Sequence, residues 1–308
     1  MRVADYIWKF LANRGVRHVF LVTGGGAMHL NDALGREKRI QYICNLHEQA
    51  CAMAAEGYAR MSGTPGIVSV TTGPGGTNAL TGVVGAWLDS VPMIVISGQI
   101  KRSTMITSCP HLKLRQFGDQ EYNIVDAVRP MTKMAKTIMS VEEVPAVMEE
   151  AWTLCQSGRP GPVWIDVPLD IQAAEIEAHD KNLTMMPAPL KPAATQVAEV
   201  AALLRQAKRP AVIIGSGVRN AKAERLFLEV VESLNIPVLT SISGIDLIPS
   251  DHPLFFGRPG ILGERPANFI MQNSDLFTDA KIYALHGTEN ADTVKLLSNC
   301  RENAVNIR

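Results

Sequence analysis

The apolar pattern of this chain predicts an α/β fold of two consecutive domains, each a mostly parallel sheet flanked by helices, with the second incomplete. Three observations carry that expectation. Short apolar strands alternate with helical stretches, glycine-rich turns follow strands in the first half, and a charged, proline-rich stretch separates two such runs.

Each element follows from local pattern. Residues 3–13 place apolar side chains at helical spacing, 18–22 form a short buried strand, 27–34 a helix and 40–44 a strand. In the next helix Ala50, Met53, Ala54, Gly57 and Tyr58 recur at helical spacing, and Gly63 with Pro65 stops the run, so Glu48 sits in the first turn. A strand at 66–71, a helix from 75 to about 88, a strand at 93–97, a helix at 142–155 and a last strand at 163–167 complete a first domain over residues 1–172. Residues 173–195 are charged and hold Pro187, Pro189 and Pro192 close together, which predicts a linker. A second α/β run over 196–308 begins with a helix at 196–206, a strand at 211–214, a helix at 221–234 and a strand at 237–240. Further on, Ile282, Ala284 and Leu285, then Val294, Leu296 and Leu297, suggest a strand and a helix.

Composition excludes several function classes. With 308 residues, 46% of them apolar, the chain is long enough to bury one or two sizeable cores. Thirty basic residues balance thirty acidic ones without a long basic run, so no electrostatic footprint for nucleic acid is expected. The longest apolar stretch falls short of a membrane span. Five cysteines without a Cys-x-x-Cys pair predict reduced thiols in a cytoplasmic protein, and the seven histidines fall in no zinc-binding spacing.

Glu48 is the most informative residue. An acid in a helix's first turn is ordinarily stabilised by the helix dipole and does no chemistry. A carboxyl group held among nonpolar neighbours, however, has its protonated form favoured, and a protonated acid can donate a hydrogen bond to a ring nitrogen. Around it, three glycine-rich segments follow strands: Thr23-Gly24-Gly25-Gly26-Ala27, Thr72-Gly73-Pro74-Gly75-Gly76-Thr77-Asn78 and Ser97-Gly98-Gln99. In a parallel sheet such segments gather at the carboxyl edge, where ligands bind. Any one glycine turn is more often only a tight corner, and none of the three fits a Gly-x-Gly-x-x-Gly or P-loop phosphate fingerprint. Gly215-Ser216-Gly217 in the second run also lacks a third glycine.

Taken in order, these segments resemble the thiamine-diphosphate enzymes of the acetolactate synthase type. The likeness is carried by Gly24-Gly25-Gly26-Ala27, His47-Glu48-Gln49, Glu56-Gly57-Tyr58-Ala59-Arg60, Gly73-Pro74-Gly75-Gly76-Thr77-Asn78, Asp89-Ser90-Val91-Pro92 and Ser97-Gly98-Gln99. It continues through Gln120-Glu121, Arg129-Pro130-Met131, Gly158-Arg159-Pro160-Gly161-Pro162, Asp166-Val167-Pro168 and Phe256-Gly257-Arg258-Pro259-Gly260, to about residue 277. The resemblance implies an N-terminal pyrimidine-binding domain followed by part of a central, Rossmann-like domain. It implies that Glu48 hydrogen-bonds the pyrimidine ring of thiamine diphosphate and activates the cofactor for attack on a 2-keto acid. By the same likeness Pro74, Gly75 and Asn78 form the pyrimidine wall, Gly25 and Gly26 lie near the thiazolium, and Gln99 is a polar group near the substrate. A homodimer or tetramer is implied as well.

Departures from that pattern matter. Asp119 precedes Gln120-Glu121 where an aromatic is common, which is expected to disfavour an anionic ketoacid such as pyruvate. The first loop lacks a proline before its glycines, and Leu46 stands where arginine is common, which suggests a divergent branch. Leu262, in place of a histidine, speaks against FAD. Phe277 to Lys281 breaks the strand pattern expected after Leu276, and no Gly-Asp-Gly segment for magnesium and the diphosphate occurs in the 308 residues. Two readings follow: a lyase or carboligase that is inactive until a diphosphate-binding domain is supplied by another chain, or a noncatalytic truncated homologue with a structural or regulatory role.

Overall fold

Helices and strands alternate along the chain as the apolar pattern predicts, and this computed structural model describes residues 1–177 and 193–280. Two units are distinguished, Met1–Pro187 and Ala188–Arg308.

In the first unit α1 (Val3–Asn13), β1 (His18–Leu21), α2 (Met28–Arg36) and β2 (Gln41–Cys44) lead to α3 (Glu48–Ser62), which ends at Gly63 in the left-handed conformation (φ 69°). There follow β3 (Gly66–Val70), α4 (Pro74–Asn78), α5 (Leu80–Leu88), β4 (Met93–Gln99), α6 (Ile124–Val128), β5 (Met134–Thr137), α7 (Val144–Gln156), β6 (Pro162–Pro168) and α8 (Leu169–Ala173). The six strands are parallel and ordered β2-β1-β3-β4-β6-β5.

The central strands β3, β4 and β6 are buried along their whole length and mostly apolar because both of their faces are covered. Ile94 and Ile96 of β4 join Ile67, Ile165 and the side chains of α1, α2 and α7 in one core, whereas Met93 and Val95 join Val68, Trp164 and the side chains of α3, α5 and α6 in another. Alternation with a period of two thus places successive side chains in different layers. All four tryptophans, Trp8, Trp87, Trp152 and Trp164, belong to this unit.

The second unit contains α9 (Ala194–Gln206), β7 (Pro210–Ile214), α10 (Gly217–Asn220), α11 (Glu224–Leu234), β8 (Val238–Thr240), α12 (Arg265–Asn273) and β9 (Leu276–Ala280). Among the described residues its three strands are parallel in the order β8-β7-β9, over a core that includes Val212, Ile214, Phe227, Val231 and Val238.

Several sequence expectations change. Residues 277–280, read as a break in the pattern, continue β9 and pair with Ala211 to Ile214. The single helix expected from 75 to 88 is two, because the Ala79 N–H bonds the Gly76 carbonyl three residues back at the junction. β5 and α6 escaped the periodicity: β5 is a half-buried edge strand and α6 is barely more than one turn. The helix expected over 221–234 starts three residues later, as α11, and the short α10 precedes it. At the start of the expected linker, the Val3 N–H bonds the Ala174 carbonyl and the Ile176 N–H bonds the Met1 carbonyl, so residues 174–177 line up beside the N-terminus. Most of that linker, residues 178–192, and the elements expected around Ile282 and Val294 lie outside the described residues.

Candidate cofactor-binding site

The strand order brings the glycine segments together. β1, β3 and β4 are consecutive in the middle of the sheet, so the residues that follow their carboxyl ends are neighbours. Thr71, immediately after β3, is the hub. Its hydroxyl accepts the Gly26 N–H at 3.0 Å. A Cβ on Gly24 would fall 2.5 Å from its Cβ, and one on Gly75 would fall 2.7 Å from its Cγ2. The next residue, Thr72, donates to the Gly98 carbonyl at 3.1 Å, and a Cβ on Gly26 would fall 1.8 Å from its hydroxyl. Gly26 is also held from the other side, where the buried Gln172 donates to its carbonyl at 2.7 Å. Gly25 differs, since a Cβ there would meet nothing within 4 Å.

Glu48 reaches this cluster because of its phase on α3. The buried residues of that helix are Glu48, Cys51, Ala52, Ala55 and Ala59, a stripe at helical spacing in which the carboxylate occupies the first place. Of the residues that mark the helical spacing in the sequence, Ala50, Met53 and Gly57 are exposed, while Ala54 and Tyr58 are half-buried and pack against the same core. His47 caps the helix, its Nδ1 accepting the Gln49 N–H at 3.1 Å. Glu48 is only 8% exposed, and its Oε2 accepts a hydrogen bond from Asn78 Nδ2 at 3.0 Å. Its Oε1 lies 3.5 Å from where a Cβ on Gly75 would stand, and among the described residues no donor reaches it. Glu48, Gly75 and Asn78 therefore form one constellation, joined through Thr71 to Gly26. Pro74, the first residue of α4, is exposed beside them.

Gln99 is placed differently from the expected substrate-facing group. Ser97-Gly98-Gln99 is the end of β4, paired with Asp166, Val167 and Pro168, and not a turn. Its amide is 2% exposed and fully committed: Nε2 donates to the Tyr122 carbonyl and to Asp166 Oδ2, each at 3.1 Å, and Oε1 accepts the Ile100 N–H at 3.0 Å. Asp166 also accepts from Ser97 Oγ at 2.6 Å and Thr137 Oγ1 at 3.1 Å, while Ser97 Oγ receives the Trp164 indole N–H at 2.8 Å. Burial pushes the Asp166 carboxyl up to about 6, against the lowering effect of these hydrogen bonds. Thr71 and Gln172 are residues that sequence reasoning passed over, and Asp166 enters it only as part of the family likeness. Polar side chains inside apolar strands were the available signal for Ser97 and Asp166.

Leu46, next to the cluster in sequence, is fully exposed, as is Leu262 in the second unit, and Asp119 is exposed as well. Among the described residues no group of three His, Cys, Asp or Glu side chains could hold a metal ion, and no helix is long and apolar enough to cross a membrane. Cys44, Cys51, Cys109 and Cys155 are free thiols.

Two family models match the chain. Residues 1–117 match the thiamine pyrophosphate enzyme N-terminal TPP binding domain, and residues 197–278 match the thiamine pyrophosphate enzyme central domain. Among individual proteins, the chain is 36% identical over 275 residues to the acetolactate synthase isozyme 1 large subunit of Escherichia coli (89% of this chain, 47% of the relative). It is 36% identical over 278 residues to the chloroplastic acetolactate synthase of Arabidopsis thaliana (89% and 40%), and 35% identical over 275 residues to the acetolactate synthase large subunit of Lactococcus lactis (88% and 46%). The chain thus spans less than half the length of each of these relatives. Matched in both of its units by one family and along most of its length by these proteins, the chain belongs to the thiamine-diphosphate-dependent enzymes of the acetolactate synthase type.

Proposed function

We propose that the first unit binds the pyrimidine half of thiamine diphosphate at the Glu48 constellation, as part of a lyase or carboligase acting on 2-keto acids. The observation that carries the reading is a buried carboxylate with one oxygen held by Asn78 and the other met by no donor among the described residues. An aminopyrimidine offers that oxygen a ring nitrogen, and Gly75 keeps its backbone close beside it because a Cβ there would fall 2.7 Å from Thr71 Cγ2.

In this reading Glu48 Oε1 shares a proton with a ring nitrogen, and Asn78 fixes the carboxylate so that this oxygen is the one presented. Pro74 and Gly75 flank the ring, while Gly25 and Gly26 form the neighbouring loop, with Gly26 pinned between Thr71, Thr72 and Gln172. Gln99 acts from behind, through the Tyr122 carbonyl. When bound, thiamine diphosphate supplies a carbon nucleophile and an electron sink for the decarboxylated substrate. The burial of Glu48 keeps bulk water away from its carboxyl group.

The diphosphate and its magnesium need a clamp for which the described residues offer no cluster, so we place that half of the site on a diphosphate-binding domain of a longer or complementing chain. A homodimer or tetramer in the cytoplasm is the assembly this division of labour suits. The test is a thiamine diphosphate and magnesium titration of the chain, with and without a diphosphate-domain partner, followed by exchange of the thiazolium C–H proton. In the competent assembly Glu48→Gln is expected to slow that exchange by orders of magnitude, because an amide is a poor acid in the same position. An unchanged rate removes Glu48 from the mechanism.

A further inference from the structure

We propose that Asp166 is a positioning residue for this cleft: through Gln99 it holds the turn at residues 117–122, which closes against Gly73 and forms the outer support of the Gly73-Pro74-Gly75 wall. The inference rests on the pyrimidine-site reading and assigns one of its walls to a carboxylate buried in the sheet.

Three contacts make the chain of support continuous. Asp166 Oδ2 accepts from Gln99 Nε2, and the same Nε2 donates to the Tyr122 carbonyl, each at 3.1 Å. Two residues earlier, Gln120 has a left-handed backbone (φ 58°) that aims its carbonyl at Gly73, itself at φ 60°. That carbonyl oxygen lies 2.2 Å from where a Cβ on Gly73 would stand, so the two backbones meet with no side chain between them. The turn is stiffened from within by Glu121, whose Oε1 accepts the Ile106 N–H at 2.5 Å and whose Oε2 accepts the Phe117 and Gly118 N–H groups at 2.9 and 3.2 Å. A turn made rigid in this way moves as one piece, and Gln99 ties it to the sheet.

Asp166 is well suited to set the position of Gln99. Its carboxylate is 1% exposed, and all three of its side-chain donors come from strand residues, Ser97 and Gln99 on β4 and Thr137 on β5. The Gln99 amide therefore has one orientation, with Oε1 on the Ile100 N–H and Nε2 facing the acid and the turn. A leucine in place of Asp166 would leave Gln99 Nε2 with a buried unpaired proton and loosen its hold on Tyr122.

Amide hydrogen exchange of the full chain tests the proposal. In Asp166→Leu, and independently in Gln99→Met, exchange is expected to rise tenfold or more across residues 117–123 and 73–77 while the amides of α1 stay protected. Asp166→Asn, which keeps an oxygen for Gln99, is expected to restore the protection. Unchanged exchange at 117–123 in both variants overturns the proposal. So does a uniform rise throughout the first unit, because that is the signature of lost stability alone. Adding thiamine diphosphate with magnesium to the unsubstituted chain and a diphosphate-domain partner separates the two readings. No added protection at residues 73–78 sinks the cofactor assignment, while the exchange pattern of the variants still decides the role of Asp166.

Discussion

At the scale of single residues, neighbouring glycines of one loop have different reasons to be glycine. Gly26 is enclosed by Thr72 and Thr71, whereas Gly25 opens onto free space. Gly26→Ala is expected to destabilise the first unit by about 1–3 kcal/mol through overpacking. Gly25→Ala is expected to change stability by less than about 0.5 kcal/mol. Paired denaturant melts of the two variants check this, and equal losses would show that the loop is not packed on Thr71 and Thr72. The same contrast explains what could be read from the sequence. Glu48 was visible because a lone acid before an apolar helix stands out, and Gly75 and Asn78 came with it through the family likeness. Thr71 and Gln172 were not visible, because their importance lies in contacts across the sheet between residues far apart in the chain.

At the scale of elements, Glu48 depends on how closely α3 meets α5. The contact is made at Gly82, where a Cβ would stand 2.5 Å from the Ala52 Cβ and 2.8 Å from the Met53 backbone nitrogen. Three residues along, a Cβ on Gly85 would lie 3.2 Å from Glu56 Oε2, the far end of a flexible side chain. Gly82→Ala is therefore expected to push α3 away and cost about 1–3 kcal/mol, more than the roughly 1 kcal/mol gained from better helix propensity. Gly85→Ala is expected to be neutral or stabilising. Thermal melts of the two variants test the difference, and a tolerated alanine at 82 would contradict the close packing of the two helices. Long periodic elements such as α1 and α7, and the fully covered strands, were readable because period and burial agree. The short or half-buried ones were not: β5 has no fully buried residue, and α8 is a single turn after a proline. The apolar residues on the exposed side of α3 also concealed which stripe is buried, since Ala50 and Met53 look as core-like as Ala52 and Ala55.

At the scale of the whole molecule, one buried acid gives stability a pH dependence. Asp166 has an ordinary value of 3.8 and is raised to about 6 by burial, so the folded state holds the proton more tightly than the unfolded chain. Its ionisation cost is absent below about pH 4 and fully present above about pH 6, and across that window its contribution to stability falls by on the order of 3 kcal/mol. Asp166→Asn is expected to flatten this part of the pH profile in equilibrium unfolding, and an unaltered slope between pH 4 and 6 would assign it to other groups. The division into two α/β runs was readable from the shift in composition between them, whereas the continuation of β9 through Thr278 and Asp279 was not, because polar residues there mask a strand whose place is set by pairing with β7. The tryptophans carry a practical consequence. Since all four reside in the first unit, indole emission reports on that unit only, while far-ultraviolet dichroism sums the helices of both. One unlabelled sample followed by the two optical signals can therefore resolve whether the halves lose their structure together or in turn.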